Sequence, residues 1–335
     1  MIPRLNISFP LRHQFIYWFG APYVTREGEY LLNHARTGIV MALRASLPEG
    51  GRVGVVAYNC HTVANAVVNA GCTPEFVDVR PDLRIDVESA PRDLDAIVVT
   101  NLFGIRNDIS AIRKRCSKAI IIVDNAHGYG LPEEGDFTVY SINQGKFPAL
   151  GEGGILKVAL SIADFRLQID DLYKALPKYG FIAQCKLFFS MLVKAIAYSK
   201  LCYWLVRKLK QSASPKVHET VVMRQMAPGI RRLYKSWLPS AKQEIAKQRQ
   251  NAALMSEKLK ELKIESIIGD NAFMLVAKTD NPEALQKQFA AKGIETATHF
   301  FRAIAWAIEF GYKRGSCPVA EKLTHELLMI PTYRR

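Results

Sequence analysis

Two apolar segments in the middle of the chain each bring a side chain that can take part in catalysis. Residues 119–123 are typical of a short buried strand, and Asp124 follows them directly. Residues 137–142 form a second apolar segment that contains Ser141, and Lys146 comes five residues after that serine. Ligands of open α/β sheets bind at the carboxyl ends of the strands, so we expect these side chains to face one crevice.

This set of residue types suits the chemistry of pyridoxal phosphate. A lysine amine condenses with an aldehyde to form a Schiff base, and an aspartate keeps a pyridine nitrogen protonated so that the ring withdraws electrons. A serine hydroxyl and backbone N–H groups bind a phosphate. A single aspartate after a strand is commonly a turn residue, and a single lysine beside a glycine is commonly solvated. The order and spacing of the whole set favour a cofactor site in which Lys146 and Asp124 are catalytic.

Alternating strands and helices are predicted around these segments. Residues 27–47 have apolar side chains near helical spacing, which predicts a helix. Strands are expected at 53–57, 71–78 and 95–100, with helices at 63–70 and 109–116. This alternation indicates a mostly parallel sheet with right-handed crossovers. Later in the chain we expect helices at 240–262, 282–292 and 318–327, and strands at 273–277 and 293–301.

The order of these residues resembles the sugar aminotransferase family named after DegT, DnrJ and StrS, a branch of the fold-type-I pyridoxal phosphate enzymes. The matching features are Asp124-x-x-His127, the spacing from Ser141 to Lys146 and the sequence GEGG at 151–154. The resemblance is good over residues 33–154 and weaker over 224–333. It implies an α/β fold with a mostly parallel central sheet, helices on both faces and a smaller C-terminal α+β domain.

The resemblance also implies roles for individual residues. Lys146 would bind pyridoxal 5'-phosphate covalently and move a proton, and Asp124 would keep the ring protonated. His127 would order the phenolic oxygen of the cofactor or pack beside the ring, and the alternative is a structural histidine. Thr37 and Gly38, in the sequence ARTG, would contact the phosphate at the start of a helix, and the alternative is ordinary helix surface.

At two positions the chain departs from the pattern of the family. Cys60 occupies the position where relatives have an aromatic residue that stacks on the pyridine ring. Either Cys60 itself or one of its neighbours, Tyr58 and His61, would then cover the ring. Val222 replaces an asparagine in a segment that crosses to the partner subunit's cofactor, whereas Arg224 of that segment is kept.

The implied activity is transfer of an amino group to a keto-sugar, in this family typically a nucleotide-linked one, with glutamate as the usual donor. Such reactions serve polysaccharide, lipopolysaccharide or secondary-metabolite biosynthesis, and a homodimer is implied as well. A sugar dehydratase of the same family would have histidine in place of Lys146, so the lysine argues against that reaction. The departures at Cys60 and Val222 leave open a non-catalytic scaffold or regulatory relative.

Length and composition indicate a two-domain protein of the cytoplasm. With 335 residues, 49% of them hydrophobic, the chain is long for one domain. We predict a large cofactor-binding domain at 1–240 and a small domain at 241–335. No secretory signal is evident, and six scattered cysteines without CxxC pairs suit a reducing compartment and give no metal site.

The net charge of +14 is concentrated in one part of the chain, because residues 174–263 hold nineteen Lys and Arg against four Glu. Within it, residues 181–210 have the pattern of a basic amphipathic helix, with Phe188, Met191 and Leu192 outside a basic sector formed by Lys186, Lys194, Lys200, Arg207 and Lys208. Such a helix packs on the protein or on a second subunit. Alternatively, it lies on the anionic inner face of a membrane, where the keto-sugar acceptor would be lipid-linked. No nucleic-acid-binding motif accompanies the charge, so nucleic acid is not expected as a partner.

Overall fold

The computed structural model describes residues 8–199, 202–203, 216–298 and 300–333. Within these ranges the chain forms a mixed α/β structure with one seven-stranded sheet and one three-stranded sheet.

The larger sheet is mostly parallel. Its strands are β1 (Glu29–Leu32), β2 (Arg52–Val56), β3 (Thr73–Val77), β4 (Ala96–Thr100), β5 (Ile120–Asn125), β6 (Phe137–Ser141) and β7 (Gly154–Val158). They lie in the order β1-β7-β6-β5-β4-β2-β3. The pairs from β3 to β6 are parallel, whereas β7 pairs antiparallel with β6 and with β1. The predicted mostly parallel sheet is therefore confirmed.

Helices precede, connect and follow these strands. Those of the first 240 residues are α1 (Leu11–Phe19), α2 (Ala35–Ser46), α3 (His61–Asn69), α4 (Ile109–Arg115), α5 (Ala163–Ala175), α6 (Phe181–Ala197) and α7 (Pro228–Trp237). Those of the C-terminal part are α8 (Ala241–Glu261), α9 (Pro282–Ala291), α10 (Ala303–Ile308) and α11 (Pro318–Glu326).

Both faces of the large sheet are covered. Successive side chains of its buried strands point to opposite sides, and each side meets an apolar cluster. Val98 and Ile122 face an apolar cluster that includes residues of α2, α3 and α5. Val99 and Val123 face a second cluster, to which α4, α10 and α11 contribute. The predicted helices on both faces are therefore confirmed.

The smaller sheet consists of β8 (Glu265–Ile268), β9 (Met274–Lys278) and β10 (Leu327–Pro331), paired antiparallel in the order β10-β9-β8. Phe273 and Met329, from this part of the chain, lie in the same apolar cluster as Val99 and Val123. The two sheets therefore share part of one core. The division into domains 1–240 and 241–335 stays a prediction.

The predicted helix at 27–47 is wrong over its first residues. Glu29–Leu32 forms strand β1, which pairs antiparallel with β7 through Glu29 and Lys157, and α2 begins only at Ala35. A stretch of only four residues, EYLL, fits helical and strand periodicity equally well, and the strand is selected here by a partner more than 100 residues away. The ARTG sequence, residues 35–38, therefore forms the N-terminus of α2 instead of lying in the middle of a helix.

The predicted strand at 293–301 is also wrong. Among its described residues, Ala297 makes an isolated bridge to Met329, and no strand forms. Gly293 and Phe300 have φ values of +74° and +58°, in the left-handed region, so the extended run is interrupted at both ends.

The helix predicted at 181–210 is present as α6 over Phe181–Ala197, and residues 200, 201 and 204–210 of that prediction lie outside the described residues. Its inward side packs on the protein, as one of the alternatives expected. Phe188 contacts Phe9 and Tyr17, and Met191 is buried against Gly151. No helix among the described residues has the length and apolar character needed to cross a membrane.

Candidate active site

A cavity of about 200 Å³ lies where the carboxyl ends of β4, β5 and β6 meet the N-termini of α2 and α3. Five of the seven predicted site residues line it: Lys146, Asp124, His127, Ser141 and Cys60. Residues from distant parts of the sequence complete the wall, among them His34, Arg36, Asn59, Thr62, Thr100, Asn143 and Phe300.

Asp124 is held at the end of β5 by a short network of hydrogen bonds. Its Oδ1 accepts the backbone N–H of Ala126 at 2.9 Å, and its Oδ2 lies 3.4 Å from the hydroxyl of Thr100. That hydroxyl accepts a bond from Nδ2 of Asn59 at 2.8 Å. Burial raises the pKa of Asp124, against the lowering effects of the Ala126 N–H, of Lys146 and of Thr100. A carboxylate that is fixed but poorly solvated favours a cationic partner.

The amine of Lys146 is positioned by its loop and by His127. Asn143 stabilises the loop that contains Lys146, because its Oδ1 accepts the backbone N–H of Gly153 at 2.7 Å. Gly154 lets the loop leave close to the start of α2, since a Cβ there would lie 2.2 Å from the backbone of His34. In this setting Nζ of Lys146 lies 2.7 Å from Nε2 of His127.

The hydrogen bonds of His127 define the protonation at this contact. Its Nδ1 accepts the backbone N–H of Phe103 at 3.2 Å, so the proton of the neutral ring is on Nε2. Nε2–H is then directed at Nζ of Lys146, a geometry that favours the uncharged form of the amine. Burial lowers the pKa of Lys146, against the opposing effects of Cys60 and Asp124, and so favours the same state. The contact therefore places the amine of Lys146 beside the imidazole and lowers its tendency to carry a charge.

Three phenylalanine rings enclose His127. Phe273, Phe103 and Phe300 stack on the imidazole with centroid distances of 4.9, 5.4 and 5.9 Å. Phe103 has a φ of +54°, which is uncommon for a residue other than glycine, and its N–H reaches Nδ1 from this conformation. His127 thus packs among rings of the protein itself. Its predicted contact with the phenolic oxygen of the cofactor stays a prediction.

One end of the cavity is suited to an anion. The N-termini of α2 and α3 both reach it, and the first N–H groups of a helix have no acceptor within the helix. Arg36 lines it too, and its buried Nε has no hydrogen-bond partner among the described residues. Thr62 and Ser141 add hydroxyl groups. An unpaired guanidinium N–H beside two positive helix ends fits the phosphate of pyridoxal phosphate, so the residues present suit this cofactor.

Thr37 and Gly38 do not line the cavity. The hydroxyl of Thr37 is buried and donates to Oδ1 of Asn33 at 2.8 Å. Gly38 faces the sheet, where an added Cβ would lie 2.9 Å from Val139. Their predicted contact with the phosphate stays a prediction, and on the same turn it is Ala35 and Arg36 that face the cavity.

Cys60 is the residue of its segment that stands beside the cavity. Tyr58 is fully buried against Phe300, and His61 packs on Trp306 at 4.9 Å. Burial would raise the pKa of the Cys60 thiol, but His61, the positive charge that Lys146 carries when protonated, and the hydroxyl of Thr62 at 3.1 Å lower it to about 7. Of the three residues expected to cover the ring, Cys60 is the one among the described residues that line the cavity, and its contact with the ring stays a prediction.

The sequence alone does not single out Arg36, Asn143, Thr100 or Phe300. Arg36 belongs to the ARTG sequence, and a correct helix start would have pointed to it. Thr100 is the cross-strand neighbour of Asp124, a pairing that follows from the parallel strand order. Phe300 comes from a part of the chain about 150 residues beyond Lys146, and no local pattern connects the two.

The segment predicted to reach a partner subunit lies outside the cavity of its own chain. The backbone of Arg224 pairs with Asn33, and its guanidinium lies 5.4 Å from the ring of Tyr179. Val222 is exposed. Neither side chain is among the described residues that line the cavity.

Comparison with known proteins matches residues 23–159 and 233–335 to the model of the DegT/DnrJ/EryC1/StrS aminotransferase family. Residues 160–232, which include α6, lie outside the match.

Solved structures with the same fold cover most of the chain. The sugar aminotransferase CalS13 from Micromonospora echinospora is 16% identical, with a TM-score of 0.74 over 99% of this chain and 95% of that one. DesI, solved in the presence of its TDP-sugar product, is 18% identical, with a TM-score of 0.68 and coverages of 90% and 75%. A GDP-4-keto-6-deoxymannose-3-dehydratase with trapped PLP-glutamate is 17% identical, with a TM-score of 0.68 and coverages of 90% and 83%.

Proposed function

This chain belongs to the DegT/DnrJ/EryC1/StrS aminotransferase family and is a pyridoxal-phosphate-dependent aminotransferase of fold type I, and on that premise we propose that it transfers an amino group from glutamate to a keto-sugar linked to a nucleotide. The TDP-sugar bound to DesI and the PLP-glutamate trapped in the dehydratase support this choice of partners. The observation that carries the proposal is the 2.7 Å contact between Lys146 and His127 in the cavity that also holds the buried carboxylate of Asp124.

We assign the cavity residues to distinct parts of the cofactor. When bound, pyridoxal phosphate supplies an electron sink for the carbon next to the transferred nitrogen. Lys146 would attach it, and Asp124 would hold a proton at its pyridine nitrogen, since a buried carboxylate with few donors favours a cationic N–H. Arg36, Ser141 and the ends of α2 and α3 would bind its phosphate, and Cys60 would cover the ring.

Lys146 is also the residue proposed to move the proton. Its uncharged Nζ accepts a proton from the α-carbon of the amino donor and returns a proton to the acceptor carbon. Burial lowers the pKa of Lys146, which brings its basicity closer to what proton transfer at neutral pH needs. Before the amino donor binds, the amine lies 2.7 Å from His127, whose ring is packed against Phe103 and Phe300, and Nζ leaves this contact when it accepts the proton.

We also propose a homodimer located in the cytoplasm. The segment with Val222 and Arg224 matches the part of the family pattern that crosses to the partner subunit's cofactor, and in this structure Val222 is exposed and outside the cavity of its own chain. This placement supports a role toward a second copy. The six cysteines are free, as a reducing compartment requires.

A second candidate differs in the acceptor, which would be attached to a lipid. One observation favours it. A neighbouring cavity of about 220 Å³ is lined by Lys146, by Trp237 and Gln248, and by His13 of α1. It therefore extends from Lys146 to a helix whose outer side is apolar.

The test is an activity screen with the reconstituted enzyme. Glutamate is supplied with each member of a panel of keto-sugar nucleotides, and release of 2-oxoglutarate is measured. We expect release with one acceptor, its loss in Lys146→Ala, and its retention in Lys157→Ala, a lysine that pairs with Glu133 and lies outside the cavity wall. Turnover of lipid-linked keto-sugars alone would contradict the nucleotide assignment, and no turnover with any keto-sugar would contradict the sugar assignment.

A further inference from the structure

Helices α1 and α6 each expose a row of large apolar side chains. These residues are between 55% and 81% exposed: Leu11, Phe15 and Phe19 on α1, and Phe181, Ile182, Phe189, Val193 and Ile196 on α6. We call this set the apolar face. Single exposed apolar residues are normal on protein surfaces, but a set of eight on two helices marks an interaction surface.

The two helices lie side by side, so their rows belong to one surface. The hydroxyl of Tyr17 on α1 donates to the carbonyl oxygen of Gln184 on α6 at 2.9 Å. The ring of Trp18 lies 5.9 Å from Phe181 and 5.5 Å from Phe188. Along α1, Phe15 and Phe19 are themselves in contact at 5.1 Å.

The inner sides of both helices are already packed. Tyr17 of α1 is fully buried, and an added Cβ on Gly229 would lie 2.3 Å from its ring. Met191 of α6 is buried against Gly151. The side chains of the apolar face are therefore not needed to pack the core. In addition, α6 lies in the part of the chain that the family model does not match.

The charged residues on the two helices themselves all have one sign. Arg12 on α1 and Lys186 and Lys194 on α6 are exposed, and neither helix contains an acidic residue. The surrounding sequence, residues 174–263, holds nineteen Lys and Arg against four Glu. A two-fold contact between copies of this chain would bring these like charges together, which is unfavourable. An anionic lipid surface complements the apolar residues and the positive charges at once.

We propose that the apolar face of α1 and α6 binds an anionic bilayer from one side, with its apolar side chains at the boundary between headgroups and acyl chains. Lys186 and Lys194 extend to the lipid phosphates, as lysines beside an inserted apolar row do. The long stems of these lysines allow the charge to stay in water while the helix lies in the interface. The proposal is independent of the aminotransferase assignment.

Vesicle co-sedimentation of the full-length holoenzyme tests the proposal. Vesicles of phosphatidylcholine with about one third phosphatidylglycerol are compared with vesicles of phosphatidylcholine alone. We expect the fraction bound to anionic vesicles to exceed that bound to neutral vesicles about tenfold or more, and to fall as salt is added. Equal binding to both, or none to either, would overturn the proposal.

Paired variants locate the contact. Phe189→Ser with Val193→Ser, and separately Lys186→Glu with Lys194→Glu, should each reduce vesicle binding about tenfold or more. Leu160→Ser with Leu167→Ser is the matched control, because both leucines are 68% exposed and belong to neither helix, and it should bind like the wild type. Unchanged cofactor absorbance shows that each variant is folded.

Light scattering on the same proteins separates lipid from a second copy of the chain. The wild type and the Phe189→Ser/Val193→Ser variant should have the same mass in solution. A smaller mass for the variant would show that another protein copy covers the apolar face, and would overturn the proposal.

Discussion

The cofactor cavity and the apolar face of α1 and α6 are built in opposite ways. In the cavity the ionisable groups Asp124 and Lys146 are enclosed and held by named partners. On the apolar face the large apolar groups are exposed, and Lys186 and Lys194 stand in solvent. Electrostatic interactions are strong where water is excluded and weak where it screens them. A change of one charge should therefore have a large effect on activity or cofactor binding when it is made in the cavity. The same change on the apolar face should have little effect on activity or stability.

The largest effect is expected from Lys146→Ala. The variant loses both the attachment point of the cofactor and the group that moves the proton, so kcat should fall by about 10⁴-fold or more. The measurement is 2-oxoglutarate release with the best acceptor. Activity within about tenfold of the wild type would remove Lys146 from the centre of the mechanism.

The second largest loss of activity is expected from Asp124→Asn. The amide has nearly the shape of the carboxylate but cannot hold a proton at a pyridine nitrogen, so kcat should fall about 10³-fold while the cofactor still binds. Asp93→Asn is the control, because Asp93 is an exposed carboxylate paired with Arg52 away from the cavity. Equal losses in the two variants would contradict the assigned role.

Arg36→Met tests the anion end of the cavity. Removing the guanidinium, whose Nε has no hydrogen-bond partner among the described residues, should weaken binding of pyridoxal phosphate about 30-fold, the equivalent of about 2 kcal/mol for one charge-assisted hydrogen bond. The measurement is a fluorescence titration of cofactor-free protein. Arg44→Met is the matched control on the same helix. Arg44 lies in the last turn of α2, far from the cavity, and donates to the carbonyl oxygen of Asn69. Equal affinities in the two variants would place the phosphate elsewhere.

The thiol of Cys60 gives a pH-dependent test. Burial alone would raise its pKa, but His61, the positive charge of protonated Lys146, and Thr62 lower it to about 7, so the thiolate forms as pH rises through 7. Alkylation of Cys60 in cofactor-free protein should therefore be half-maximal near pH 7. Thr62→Val removes a donor to the thiolate, so the pKa and the midpoint should rise by about one pH unit.

Mass spectrometry of the alkylated peptides reads this result residue by residue. Cys116 serves as an internal control, because burial raises the pKa of its thiol and it should react only at higher pH. A midpoint that does not move in Thr62→Val would show that the hydroxyl does not stabilise the thiolate.

The smallest effect is expected on the apolar face. Lys186→Glu with Lys194→Glu should leave kcat within about twofold and the melting temperature within about 2 °C, because exposed charges contribute little to stability. Thermal melting and the release assay measure both. A loss of activity as large as that of Arg36→Met would show that the charges of α6 act on the cavity.

The sequence predicts the parts of the cavity that depend on strand order. Apolar runs with β-branched residues mark β4 and β5, and parallel pairing then brings Thr100 beside Asp124. The order of Asp124, Ser141 and Lys146 predicts that they meet, and the structure places all three in one wall.

Other features depend on contacts that no local pattern contains. The stretch Glu29–Leu32 becomes a strand only because β7 is beside it, and Arg36 enters the cavity because the helix then starts at Ala35. The sequence predicts a basic amphipathic helix for α6, but which of its apolar residues stay exposed is decided by how Phe188 and Met191 pack. Those choices are tertiary and cannot be read from periodicity.

Borohydride reduction of the holoenzyme followed by peptide mapping tests the central claim most directly, because reduction makes the covalent link between protein and cofactor permanent. We expect the pyridoxyl label on Lys146 alone, and none in Lys146→Ala. A label on another lysine, or no label on a protein that has bound the cofactor, would contradict the assignment of this cavity as the active site.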